Sequence, residues 1–360
     1  MSYYFGVEIE VIAEPQRVQD PLLRRVYYER LARALNRHGL SAAADKLDGS
    51  RYCKHAEYYD SRWWITKDGS LKDPSYPRIP LEAVSPILWT AVTWEAEVDT
   101  FWRAWRDVFH TPDASSLCGS HIHVSPYPRK TFSLTQLKDI AIGIIFYEPL
   151  IHQLLPECRQ NNKYCRRNTL RSTQLQNMGS DDGHELREVC RYILQEIDDV
   201  GELRDFMQEN ASTRKDRYVL WNFDNILPGE SGSIEFRGGH GLRGPQETRK
   251  WIAFVVSVIH LCIERRYDNW GARINDFFFG SFPRPSMRRF WRDLARAARF
   301  LNVRQHLPSE YYEMIFSQDC SEEFEGYDDD SSIVSKDDSK FSDSYDEDSD
   351  GRHSHDYYSD

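Results

Sequence analysis

Gly6-Val7-Glu8-Ile9-Glu10-Val11 stands near the N-terminus of this 360-residue chain, and Ser233-Ile234-Glu235-Phe236-Arg237 stands far downstream. Alternate residues of a strand share a face, so Glu8 and Glu10 point together while Val7, Ile9 and Val11 pack behind them. The same period sets Glu235 beside Arg237, with Ile234 and Phe236 turned the other way. Strands disfavour Glu, and two neighbouring carboxylates repel unless a cation lies between them. Hard oxygen donors at this spacing suit Mg²⁺ or Mn²⁺. Taken alone, either segment equally fits a solvated strand face with chance acids.

Four further segments repeat the device. Trp64-Ile65-Thr66-Lys67-Asp68-Gly69-Ser70-Leu71 reads as a strand entering an Asp-Gly turn, which puts Asp68 at a strand end. Leu81-Glu82-Ala83-Val84-Ser85-Pro86 carries Glu82 on a strand that stops at proline. Cys118-Gly119-Ser120-His121-Ile122-His123-Val124-Ser125 sets two imidazoles at i and i+2. Arg217-Tyr218 and Trp221-Asn222-Phe223 precede the Glu235 strand. One ionisable residue in a strand is noise; acids, imidazoles and an arginine recurring on several strands make a site. Alternatives stay open for single members. His121 and His123 also fit a zinc pair with Cys118 as a third ligand. Arg237 also fits a structural partner of Glu235, and Asp68 a residue selected by its turn.

The remaining pattern places these strands among helices. Asp20-Pro21 opens a helix that Gly39 closes, and Leu22, Leu23, Val26, Leu31 and Leu35 form its apolar stripe. Strands are predicted at 62–66, 80–85, 119–126, 217–223 and 232–237. Helices are predicted at 93–109, from a Ser133–Gln136 capping box to about 155, at 183–197, 200–210, 245–267, 285–301 and 308–316. Strands and helices do not alternate regularly, so the fold class is α+β: an antiparallel sheet with helices packed on one side.

The net charge of −11 is concentrated at one end. Residues 319–360 hold 16 acids against Lys336, Lys340 and Arg352, which leaves residues 1–318 slightly basic. The division is therefore a catalytic domain over 1–318 and an acidic Asp/Ser-rich tail over 319–360 that is expected to be disordered. Ser335 and Ser344 each have an acid three residues on, as acidophilic kinases prefer. The domain is not basic enough for nucleic acid to be its main ligand. Arg159, Lys163, Arg166, Arg167 and Arg171 form a basic stretch. It reads as a solvated loop, with an acidic substrate or the chain's own tail as alternative partners. No N-terminal apolar leader and no span of membrane length is seen. Seven scattered cysteines without CxxC spacing read as reduced thiols, which points to the cytoplasm.

In order and spacing, Phe5-Gly6-Val7-Glu8-Ile9-Glu10, Asp68-Gly69-Ser70-Leu71, Glu82-Ala83-Val84-Ser85-Pro86, Cys118-Gly119-Ser120-His121-Ile122-His123 and Ile234-Glu235-Phe236-Arg237 resemble one family over residues 3 to about 265. It is the amidoligase family, fungal type, of the glutamine synthetase and glutamate–cysteine ligase superfamily. The resemblance implies an antiparallel sheet of the glutamine synthetase catalytic-domain type. It implies ATP-dependent joining of a small-molecule or peptide carboxylate to an amine through an acyl phosphate, with two or three Mg²⁺ or Mn²⁺ ions. It assigns Glu8, Glu10, Glu82 and Glu235 to the metals, and His123 or His121 to a metal or nucleotide phosphate. It assigns Arg237 to the transferring phosphoryl group, Asp68 to the incoming amine, and Arg217 and Asn222 to phosphate or the substrate carboxylate. A metal-dependent hydrolase on the same cluster, and a noncatalytic protein binding a basic partner through its tail, are the competing readings.

Overall fold

Tyr3–Ala13 forms the long strand β1, and the rest of the sheet is assembled around it. In this computed structural model residues 1–45, 61–67, 71, 74–178, 183–208, 217–264 and 286–316 are described. The other strands are β2 (Ala42–Ala44), β3 (Trp63–Thr66), β4 (Ile79–Val84), β5 (Leu88–Trp89), β6 (Gly119–Pro126), β7 (Trp221–Asn222) and β8 (Ile234–His240). Their order is β2-β3-β4-β1-β6-β8-β7, with β5 added beside β1. Every pairing is antiparallel except β2 with β3. The helices are α1 (Arg24–Arg37), α2 (Trp94–Trp105), α3 (Leu134–Leu154), α4 (Glu157–Gln160), α5 (Asn168–Arg171), α6 (Thr173–Asn177), α7 (Gly183–Gln195), α8 (Val200–Gln208), α9 (Pro245–Glu264), α10 (Met287–Phe300) and α11 (Tyr312–Phe316).

Alternation decides which face the helices cover. Tyr3, Phe5, Val7, Ile9, Val11 and Ala13 are all buried, because the odd positions of β1 face α2 and α9. Phe5 meets Trp94 edge-on at 5.4 Å, Phe236 lies 5.7 Å from Trp251, and Trp63 stacks on Phe101 at 4.1 Å. Burying such rings stabilises the fold by roughly 1.5–3 kcal/mol each. α3 begins at the capping box read from sequence: Ser133 Oγ accepts from Gln136 N–H, and the Gln136 side chain accepts from Ser133 N–H. α1 ends at Gly39, whose φ of +88° lets Leu40 N–H reach Leu35 C=O and Gly39 N–H reach Asn36 C=O.

The α+β, mostly antiparallel architecture agrees with the sequence pattern, and several boundaries differ from it. α1 starts at Arg24 after Leu23, which makes no side-chain cap; Asp20–Pro21 is a cis peptide ahead of the helix. The strand expected at 217–223 contracts to Trp221–Asn222. The reason is local: the Asn168 side chain accepts from Trp221 N–H and donates to Trp221 C=O, taking the place of a neighbouring strand. The helix expected at 308–316 is only Tyr312–Phe316. β2 and β5 were not expected, since three alanines and a two-residue strand carry no readable period. Cys118, Cys165, Cys190 and Cys262 are buried free thiols, but Cys158 is disulfide-bonded, which corrects the expectation of seven reduced thiols. No described helix is long and apolar enough to cross a membrane. The tail from 319 to 360 lies outside the described residues.

Candidate functional site

The even positions of β1 turn away from the helices, and the neighbouring strands bring their own polar residues to the same face. β6 pairs Glu8 with His121 and Gly6 with His123; β8 pairs His123 with Glu235; β7 pairs Glu235 with Asn222; β4 pairs Glu10 with Glu82. Directly paired residues project together, so five strands aim at one area. His121 Nδ1 lies 2.8 Å from Glu8 Oε2, 3.3 Å from Glu235 Oε1 and 3.5 Å from Glu10 Oε1. His123 Nε2 lies 3.1 Å from Glu8 Oε1 and 3.9 Å from Glu235 Oε1. Two groups of donor atoms result, each within 4.8 Å: Glu8 with His123 and Glu235, and Glu8 with Glu10 and His121. Glu8 belongs to both. Carboxylates converging this closely call for positive charge between them, and oxygen-rich donor sets with one imidazole each fit Mg²⁺ or Mn²⁺. Cys118 belongs to neither group, so the donors do not assemble into a zinc site with a thiolate.

Glu235 is held from both sides. Asn222 Nδ2 donates to its Oε2 at 2.7 Å, and Arg237 Nη1 lies 2.5 Å from its Oε1. The Asn222 amide cannot flip, because its Oδ1 accepts from Gln208 Nε2 at 3.0 Å and from Asp224 N–H at 3.0 Å. Gln208 also accepts from Phe223 N–H and donates to Asp224, which Arg204 pairs at 2.6 Å. A satisfied buried chain of this kind fixes a carboxylate's direction. β8 is irregular around Arg237: Ile122 pairs with Phe236 but Ser120 pairs with Gly239, so β8 carries one extra residue here. Such bulges re-aim a side chain. Arg159, only 3% exposed, donates from Nη2 to Arg237 C=O at 2.6 Å and so braces the bulge.

Gly119 is where this packing leaves no room. A Cβ there would stand 2.9 Å from Glu10 Oε2 and 3.3 Å from Arg159 Nη2. Gly119→Ala is expected to displace both side chains and weaken Mn²⁺ binding about tenfold or more. Both obstacles are ends of long side chains, so the melting temperature should move by only a few degrees, ~2 °C per kcal/mol. Calorimetric titration of Mn²⁺ beside a thermal melt checks the pair of outcomes.

The charges support one another. Burial pushes the Glu8 carboxyl up, but the His123 charge and hydrogen bonds from His121 and His123 outweigh it and hold Glu8 well below the usual carboxylate range. Burial likewise opposes ionisation of Glu235, and Arg237, His123 and His121 together lower it. For His123 burial disfavours the charged ring, yet Glu8 and Glu235 raise it above the ordinary 6.5. Arg237 is raised despite burial, by Glu235, Glu10 and Glu8.

Of the residues singled out in the sequence, Glu8, Glu10, Glu235, His121, His123 and Arg237 come together. Asn222 joins them as the group that orients Glu235. Glu82 sits on the same face opposite Glu10 but in neither donor group. Arg217 is exposed and stands over the Tyr218 ring at 5.6 Å. Asp68 lies outside the described residues. The basic stretch is not simply a solvated loop: Arg159 is buried, and Arg167 lies 3.5 Å from buried Glu148. Gln208, Asp224 and Arg204 carried no sequence signal, because their roles arise from contacts between distant segments.

Over residues 2–259 the sequence matches the family described as "putative amidoligase enzyme". Among solved structures it is similar to a bifunctional glutathione synthetase from Pasteurella multocida, at 11% identity and a TM-score of 0.34, covering 88% of this chain and 47% of that one. The chain thus spans about half the length of that protein. No curated protein matches the sequence.

Proposed function

Since the chain belongs to the amidoligase family, we propose that it is an ATP- and Mg²⁺-dependent carboxylate–amine ligase that forms an amide through an acyl phosphate. In this reading it stands with the glutamine synthetase and glutamate–cysteine ligase superfamily, in the fungal type, and acts on a small-molecule or peptide carboxylate and an amine. The observation that carries the proposal is the convergence of Glu8, Glu10, Glu235, His121 and His123 on one sheet face beside Arg237.

Glu8, His123 and Glu235 would hold one cation, and Glu8, Glu10 and His121 a second. Bound there, the ions supply neutralisation of the phosphate oxygens. The substrate carboxylate attacks the γ-phosphorus and ADP leaves; the amine then attacks the acyl carbon and phosphate leaves. Phosphoryl transfer asks little covalent work of a protein, so these residues act by position and charge. Glu235 keeps its direction through Asn222 and Arg237, and the Arg237 guanidinium meets the charge on the moving phosphoryl group. The helix-side wall of Val7, Ile9, Ile122 and Phe236 gives the strands a rigid backing.

The sign of the pH dependence follows from the three shifted groups. A cation needs His123 neutral, so binding displaces a proton that the ring keeps to higher pH than a free imidazole. Mg²⁺ affinity should therefore rise with pH up to the raised value of His123, above that of a free imidazole, and level off beyond it. Metal-free stability should do the reverse. A raised His123 contributes fully below 6.5 and loses its contribution as pH rises through the folded value. Depressed Glu8 and Glu235 contribute above 4.5 and lose their contribution as pH falls through theirs. Thermal melts from pH 5 to 9, with and without Mg²⁺, should diverge with rising pH; parallel curves would count against a shared proton and metal site.

The direct test is calorimetric titration of ATP into the protein with and without Mg²⁺, followed by trapping of activated carboxylates as hydroxamates with hydroxylamine. Mg²⁺-dependent ATP binding and hydroxamate formation are the expected results. Absence of ATP binding by the folded protein would overturn the ligase reading, and turnover without nucleotide would replace it with hydrolysis.

A further inference from the structure

The face that carries the carboxylates continues past them along β1 and β6. Gly6 pairs with His123 and Tyr4 with Ser125, and alternation keeps Tyr4, Gly6 and Glu8 on one side. Tyr4 also pairs with Trp89 of β5, and Tyr127 follows Ser125 by two residues. The Trp89 and Tyr127 rings stack at 4.4 Å and 19°, and Tyr4 meets Tyr127 edge-on at 5.2 Å. This cluster is not part of the core: Tyr127 is 40% exposed and the other two rings are half-buried. The Trp89 indole N–H is fixed by Ser2 Oγ at 3.1 Å.

Between the rings and the carboxylates the floor is low and polar. A Cβ on Gly6 would meet nothing nearer than Ser85 Oγ at 3.9 Å. Ser233 Oγ and Asn225 Nδ2 each lie 3.3 Å from His123 Nδ1, and Ser231 Oγ lies 2.9 Å from Ser233 Oγ. Glu8 stands four positions along the strand from Tyr4, roughly 13 Å at the usual rise, which suits an extended triphosphate and ribose. Beyond Glu10 the face changes character. Glu82 pairs with Thr66, whose hydroxyl lies 3.0 Å from Asp45 Oδ2. The face is thus aromatic at one end, a ligand cluster in the middle, and acidic at the other end.

In-line transfer places the leaving nucleotide and the attacking carboxylate on opposite sides of the phosphoryl group, so the two ends serve different substrates. We infer that the Trp89–Tyr127–Tyr4 cluster is the nucleobase platform, with ATP lying along β1 and β6 from Tyr127 to Glu8. The acyl donor and the amine then enter from the Glu82 end, where acids attract an ammonium group. The inference rests on the ligase reading and adds to it the direction in which the substrates lie. Stacking on π-faces is tolerant of base identity, so ATP and GTP should bind with similar affinity.

The test is calorimetry on the full chain with Mg²⁺, comparing ATP with inorganic tripolyphosphate, which has no base. In Tyr127→Ala and in Trp89→Leu, ATP affinity should fall about fivefold or more, and tripolyphosphate affinity should stay at the wild-type value. Tyr127→Phe should bind ATP normally. Unchanged ATP affinity in both variants, or equal losses for ATP and tripolyphosphate, would overturn the platform. A wild type that binds tripolyphosphate but not ATP would overturn it too. A folded wild type that binds neither overturns the ligase reading itself, a result separable from all of these.

Discussion

Glu8→Gln should abolish both cation sites at once and lower Mg²⁺-dependent turnover about a thousandfold, the equivalent of roughly 4 kcal/mol. Glu8 is the one donor common to the two groups, with Oε1 toward His123 and Oε2 toward His121. Glu10 and Glu235 each serve a single group. The substitution keeps the shape of the side chain and removes its charge, so the loss falls on cation affinity rather than packing. Counting bound Mn²⁺ by the paramagnetic signal of the free ion gives a sharp readout. Two ions are expected in the wild type, one at near-normal affinity in Glu10→Gln, and none in Glu8→Gln. Glu82→Gln should retain both, because Glu82 lies beside Glu10 without entering either group. A Glu8→Gln protein that kept one full-affinity ion would separate the two groups and break the argument that they share a ligand.

Much of this site is legible in the chain because strands have a period of two. Glu8 with Glu10, His121 with His123, and Glu235 with Arg237 each announce a shared face, and the antiparallel register then sets them against one another. What the sequence cannot convey is register and irregularity. Nothing in Ser120–Ile122 or Phe236–Gly239 announces the extra residue in β8. Asn222 reads in the sequence as a contact to phosphate or the substrate carboxylate; that it also donates to Glu235 and is held by Gln208 and Asp224 depends on register and loop packing that no sequence period reports. Arg159 looked like one charge among several in a solvated stretch. It is buried, with its guanidinium donating to the Arg237 carbonyl, a contact set by packing rather than by the local sequence. Periodicity reports which residues share a face, whereas packing decides which of them touch.

Arg237→Ala is expected to lower kcat about a thousandfold, in the range observed when a guanidinium is withdrawn from a phosphoryl-transfer site. Two roles are combined in this side chain, and they predict different patterns. As a partner of Glu235 it lies 2.5 Å from Oε1 and helps keep that carboxylate ionised. As a contact to the moving phosphoryl group it would act only on the transition state. If pairing were its whole task, Mn²⁺ affinity and turnover would fall together, and Arg237→Lys would restore most of both, since an ammonium supplies the same charge. If the phosphoryl contact dominates, turnover should fall far more than Mn²⁺ affinity, which Asn222, Glu8 and the two histidines continue to support. Lysine should then rescue affinity but little of the rate, because it lacks the planar fork that spans two phosphate oxygens.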